Sequence, residues 1–180
     1  MFTLETPRLL LRDMVLEDAE AFSAYNEDPE YYRYLVQVST KQSTKEFVKN
    51  AIEQNAILPR RHFYLAIVEK ESGKVIGDIV LGANKKYPDH MAGVGYGMNP
   101  QYWNNGYISE ALKVVTEFGH NEMGYHRIDS GADAQNIGSC RTLEKCGYKK
   151  EGSLAYVAKV RDGWSEETFQ YASIRVDKLK

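Results

Sequence analysis

The residues best placed to do chemistry stand in one run, Asn99-Pro100-Gln101-Tyr102-Trp103-Asn104-Asn105-Gly106-Tyr107-Ile108-Ser109-Glu110-Ala111. Asn99-Pro100 stops the segment before it, since proline cannot donate to a strand ladder and biases its predecessor away from helix. Beyond the run, Ile108, Ala111, Leu112, Val115, Phe118 and Met123 recur close to helical spacing, with Glu110 and Glu117 on other faces. A polar loop entering an amphipathic helix presents unpaired backbone N–H groups at the positive end of the helix dipole. That arrangement suits an anion, phosphate above all, and Gly106 would let it approach the backbone closely. The same residues also make an ordinary strand–loop–helix connection, because Gly and Asn are common in loops.

Other chemistries are poorly supplied. Gly93-Val94-Gly95-Tyr96-Gly97 lacks the G-x-G-x-x-G spacing of a dinucleotide fingerprint, and no helix opens from it. Glycines inside a strand instead mark a bulge or a place where something lies against the backbone. There is no G-x-x-x-x-G-K-[ST] loop, no H-E-x-x-H and no C-x-x-C. His62, His90, His120 and His126 are scattered, which favours structural or solvated roles. Cys140 and Cys146 cannot build a disulfide framework or a four-cysteine zinc site; they read as small buried residues of a reducing compartment.

The elements that must position the run can be followed along the chain. Arg8 to Arg12 reads as a strand, and Glu17, Asp18 and Glu20 crowd the first turn of a helix that Asp28-Pro29 breaks. Ser43 with Glu46 forms the pattern of a capping box for a second helix, ended by Leu58-Pro59. Phe63–Glu69 and Lys74–Leu81, joined through Ser72-Gly73, predict a hairpin, and Met91–Met98 extends it into a three-stranded antiparallel meander. The helix from Ile108 to Met123 ends at Gly124 as a C′ residue, and His126–Ala132 follows as a strand; strand, helix and strand imply a parallel pair with a right-handed crossover. Asn136 is a good N-cap for a short helix Ile137–Lys145, stopped by Gly147. Tyr148–Ala158 and Thr168–Val176, around a turn at Asp162-Gly163, make a closing hairpin. The class is α+β, in one domain over residues 1–180.

Composition narrows the partners. A net charge of −2 gives no whole-protein field toward nucleic acid or an anionic membrane. Mean hydropathy is −0.51, and no apolar run approaches transmembrane length. The first residues lack a basic start followed by an apolar core, so no signal peptide is expected and a cytoplasmic location is. Thirteen tyrosines suit a wet, aromatic-walled pocket as well as a core.

Gly95-Tyr96 followed by Pro100 to Ala111 resembles the acetyl-coenzyme A signature of the GNAT acetyltransferase superfamily. His126-Arg127-Ile128, Asn136 with Ser139, and Leu143-Glu144-Lys145-Cys146-Gly147-Tyr148 are similar to its next two motifs, and Glu5-Thr6-Pro7-Arg8-Leu9-Leu10-Leu11-Arg12 resembles the opening of the branch that acetylates ribosomal-protein N-termini. The resemblance covers nearly the whole chain. It implies a mixed, largely antiparallel twisted sheet with helices on both faces and a central strand pair splayed beyond Met98. It implies acetyl-CoA as co-substrate and no metal. It implies a pyrophosphate held by the main chain of Asn104, Asn105, Gly106, Tyr107, Ile108 and Ser109, with Trp103 opening the loop. It places the pantetheine arm along Tyr96–Met98 and against Asn136, with a backbone N–H near Met98 polarising the thioester. By the same likeness Ser139 is the candidate acid for the departing thiolate, and Tyr31, Tyr32 and Tyr34, with Arg33 among them, form an acceptor wall. The implied reaction is direct attack by a primary amine, from a protein N-terminus or a small molecule, and the resemblance leaves room for a homodimer. Two departures stand out: Ile108 replaces a Gly or Ala, and Gly93 stands where the branch often has Glu. The base is therefore not readable from the motif; Asp78, His90, Glu166 and Glu167 are the alternatives. The departures also keep alive a coenzyme-binding sensor or interaction module without turnover, and behind it another nucleotide-binding enzyme.

Overall fold

A computed structural model describes residues 1–34, 39–160 and 163–179. Two short strands, β1 (Thr3–Glu5) and β2 (Leu9–Asp13), open the chain and pair antiparallel. Helices α1 (Asp18–Ser23) and α2 (Lys41–Asn55) follow, with a 3-10 turn at Tyr31–Tyr34 between them. Strands β3 (His62–Glu69), β4 (Val75–Ala83) and β5 (Met91–Met98) form the expected meander. Helix α3 (Tyr107–Asn121) crosses to β6 (Arg127–Asp133), parallel to β5, and α4 (Ile137–Lys145) leads to β7 (Lys149–Leu154). A two-stranded ribbon, β8 (Lys159–Val160) with β9 (Gly163–Trp164), precedes β10 (Thr168–Ile174). The main sheet runs β1-β2-β3-β4-β5-β6-β10-β7. Every neighbouring pair is antiparallel except β5 with β6, as the expected α+β class requires.

The sheet has a core on each face. On one, Leu65, Ile67, Ile79, Leu81, Ala92, Val94 and Ile128 pack under Ala111, Leu112 and Val115 of α3 and Leu143 of α4. On the other, Ala66 packs with Phe22, Tyr25, Val48 and Ala51 of the α1–α2 layer. Arg12 of β2 ties that layer to the sheet, gripping buried Asp18 through two hydrogen bonds of 2.7 Å each. The Asp18 carboxylate also accepts the Val15 N–H, so its charge is matched rather than stranded.

Some local expectations need correction. The box on α2 is Thr40 with Ser43, not Ser43 with Glu46: Thr40 precedes the helix in an extended conformation and its side chain accepts the Ser43 N–H. The left-handed Gly124 lies one position beyond C′, because Glu122 is the C-cap of α3. The strand expected over Tyr148–Ala158 ends at Leu154, before Tyr156 turns to φ +54°. Asp162, half of the expected Asp162-Gly163 turn, lies outside the described residues.

The splayed pair is present, and it opens earlier than Met98. β5 and β6 share register only over Met91–Gly93 with Arg127–Asp129. One further tie, Ser130 Oγ donating to the Val94 carbonyl at 3.0 Å, marks where they part.

Candidate functional site

The opening between β5 and β6 leads into a cleft of about 660 Å³ walled by the α3 loop, the α4 N-terminus and the 3-10 turn. The Asn99 N–H donates to Ile76 on β4 at 2.9 Å. By antiparallel alternation Met98 turns its own N–H and C=O the other way, toward the opening. The Met98 carbonyl receives the Trp103 indole N–H at 2.8 Å, which fixes the half-exposed indole at the start of the loop.

The loop gets its shape from two left-handed residues, Asn104 at φ +63° and Gly106 at φ +77°. Asn and Gly are the residues that take this conformation at least cost. Gly106 is the N-cap of α3 and supplies no side-chain cap, so the first amides of the helix keep their N–H groups free of one. The loop is braced from behind by the start of the chain. Arg8 donates from Nη1 to the Asn105 carbonyl at 3.0 Å and from Nε to Glu110 at 2.7 Å, and its guanidinium lies 4.5 Å from the Tyr107 ring centre. Glu110 also accepts the Arg8 N–H and the Thr6 hydroxyl, while the Tyr107 hydroxyl is held by Glu69. These bonds hold the Glu110 carboxyl below its ordinary range against the opposing effect of burial, its largest influence. They also match a negative charge that would otherwise weaken an anion site at this helix end.

Met98, Trp103, Asn104, Gly106, Tyr107, Ile108 and Ser109 all line the cleft. Ile108 is half-buried and packs against the core as well. Asn105 does not reach the cleft: its side chain turns back to donate to the Tyr102 and Trp103 carbonyls at 3.2 and 3.0 Å. Across the cleft, the Asn136 carboxamide oxygen accepts the Ser139 N–H at 3.1 Å and caps α4, so what it can offer a ligand is its amide N–H. Ser139 Oγ lies 3.0 Å from the Tyr96 hydroxyl. Burial pushes Tyr96 up to about 12, against the smaller pull of the Ser139 bond, so the pair is protonated at neutral pH. Tyr96 belongs to this dyad, whereas the sequence places it only in the coenzyme signature and along the pantetheine arm, with no part in proton transfer.

The aromatic wall divides. Tyr31 and Tyr34 line the cleft, and the Tyr34 hydroxyl reaches over to the Gln135 carbonyl at 3.0 Å. Tyr32 does not: it is 1% exposed, and its hydroxyl exchanges hydrogen bonds with the Ser39 backbone. Arg141 and Lys145, one turn apart on α4, add two exposed cations to the rim; Lys145 lies within the Leu143–Tyr148 motif, and Arg141 lies outside every motif of the chain.

The four alternatives for a base separate. His90 sits at the far end of β5 from Met98, and Glu166 and Glu167 are exposed. Asp78 lies beside Gly97 on the α1–α2 face, where burial pushes its carboxyl up to about 7. Cys140 is buried under α4, its thiol 3.6 Å from the Asp133 carbonyl.

Comparison with known proteins agrees with this geometry. Residues 8–149 match the acetyltransferase (GNAT) domain family. The uncharacterized N-acetyltransferase YnaD of Bacillus subtilis (strain 168) is 31% identical over 163 residues, covering 89% of this chain and 91% of the relative. A ribosomal-protein-S5-alanine acetyltransferase from Vibrio fischeri superposes with a TM-score of 0.84 at 21% identity, covering 98% of each chain. The microcin C7 self-immunity acetyltransferase MccE, solved with acetyl-CoA and AMP, gives 0.81 at 17%, covering 94% of each. The likeness to these relatives runs along almost the full length, and the chain belongs to the GNAT acetyltransferase family as an N-acetyltransferase.

Proposed function

We propose that the cleft binds acetyl-CoA and transfers its acetyl group directly to a primary amine. One observation carries this reading: the free end of α3, shaped by Asn104 and Gly106, opens beside the gap where Met98 presents its backbone. The helix dipole favours phosphates at the terminus, and the pantetheine arm that the family likeness implies would lie in the gap by strand-like pairing. The Met98 N–H then lies where charge develops on the thioester oxygen. Ser139, backed by Tyr96, delivers the proton that the departing thiolate needs. Arg141 and Lys145 suit the remaining phosphate of the coenzyme by charge. That MccE was solved with acetyl-CoA supports the donor. The Vibrio fischeri protein acts on a ribosomal protein, which supports a protein N-terminus as acceptor, with a small amine as the other source.

The test is thermal unfolding with acetyl-CoA, ATP or NAD in excess. A ligand at about 100 times its dissociation constant adds about 2.7 kcal/mol, on the order of 5–10 °C for a chain of this size. A shift with acetyl-CoA alone is expected, followed by thiol release in the presence of amines. A shift with ATP or NAD and none with acetyl-CoA would overturn the assignment.

A further inference from the structure

Two glycines of β5, Gly93 and Gly95, lie outside the coenzyme cleft, while a third, Gly97, lines it. Gly93, Gly95 and Gly97 alternate along the strand and so share one face, while Ala92, Val94 and Met98 fill the core on the other. A Cβ on Gly95 would meet nothing within 4 Å, and one on Gly93 only the Asp129 carbonyl at 3.9 Å. The strip is bare backbone, open to solvent, flanked in register by Gly82, Val80 and Asp78 on β4. It is closed at one end. A Cβ on Gly97 would lie 2.3 Å from the Tyr31 hydroxyl and 3.0 Å from Asp78 Oδ1, so these two side chains converge over Gly97, beside Met98 and the cleft.

Asp78 has an unusual setting. Its strand neighbours on this face are Ala66 on β3 and Gly97 on β5, neither of which titrates. The titratable groups facing it are Tyr25, after α1, and Tyr31, from the 3-10 turn, both raised chiefly by burial and then by the Asp78 charge. Tyr25 is 3% exposed, and its hydroxyl has no hydrogen-bond partner among the described residues. A polar cluster of this kind, ending a bare track at the reaction centre, fits a cation that arrives along the track.

We propose that the acceptor carries a primary ammonium on a slim, unbranched chain, lies along Gly93–Gly95 and gives its proton to Asp78. This rests on the acetyl-transfer reading. One N–H proton passes from the ammonium to the Asp78 carboxylate. The neutral nitrogen then bonds to the acetyl carbonyl carbon as the carbon–sulfur bond breaks. The nitrogen sheds a second proton, the sulfur gains one through Ser139, and Asp78 returns its proton to solvent. The balance is one amide, one thiol and one proton released.

The experiment measures thiol release with spermidine and with an alanine-initiated hexapeptide, for the wild type, Gly95→Val and Asp78→Asn. Valine fits the strand without strain, opposite Val80, and should leave melting temperature and acetyl-CoA affinity unchanged while raising acceptor KM at least about tenfold. Asp78→Asn should lower kcat/KM for the acceptor about 100-fold or more and abolish a rate limb centred near pH 7, with acetyl-CoA affinity intact. Turnover of spermidine alone marks a polyamine-like source, and of the peptide alone a protein N-terminus. Wild-type kinetics in both variants would overturn the inference. So would a wild type that turns over neither probe; an acetyl-CoA melting shift then tells whether the donor site stands without it.

Discussion

Replacing Asp78 by Asn should change how folding stability responds to pH, with no ligand present. Burial raises the folded carboxyl from 3.8 to about 7, so between those values the native state holds a proton that the unfolded chain has lost. A group raised on folding stabilises fully below its unfolded pKa, and that contribution is lost as pH climbs through the folded one. About three units at about 1.4 kcal/mol each amount to about 4 kcal/mol. Roughly 3 kcal/mol of this falls between about pH 5 and about pH 8. Asparagine keeps the shape and cannot ionise, so the variant should gain on the wild type by that amount over the interval. Urea unfolding of both proteins at the two pH values measures it. Parallel stabilities would mean that the carboxyl ionises as in water, and the description of its surroundings would be refuted.

Three further outcomes test the site. Gly106→Glu should abolish acetyl-CoA binding by calorimetry, since it forces a left-handed side chain and a negative charge beside the phosphates. Ser139→Ala should lower kcat by about 10²-fold with acetyl-CoA affinity little changed, and Tyr96→Phe should lower it less, because its proton reaches the thiolate only through Ser139. Arg8→Ala should weaken CoA by about tenfold while leaving the weaker binding of pantetheine, which lacks the pyrophosphate, unaltered.

What the sequence disclosed was local. The α3 loop, its glycine and the helix behind it follow one another directly along the chain, and the alternation of β3, β4 and β5 is written in consecutive positions. For the cap of α2, Ser43-x-x-Glu46 and Thr40-x-x-Ser43 overlap in the sequence, and only the backbone at Thr40 decides between them. Tyr32 and Tyr31 are adjacent and chemically alike; the turn buries one and presents the other. Asp78 was one acid among several until α1 and the 3-10 turn brought Tyr25 and Tyr31 against it. Tyr96 and Ser139 stand 43 positions apart, and their contact depends on where α4 docks. Each missed partnership is made by packing between elements, which no spacing along the chain encodes.

The Arg8–Glu110 brace joins residues 102 positions apart. The loop that the coenzyme is expected to read is therefore not a self-contained cassette. Ring closure over that span must precede it, and the entropy of that closure is met by the assembled sheet rather than by the loop. A fragment beginning after β2 would carry every residue of the motif yet sample many loop shapes, and its coenzyme affinity would fall by the fraction of time spent in the right one.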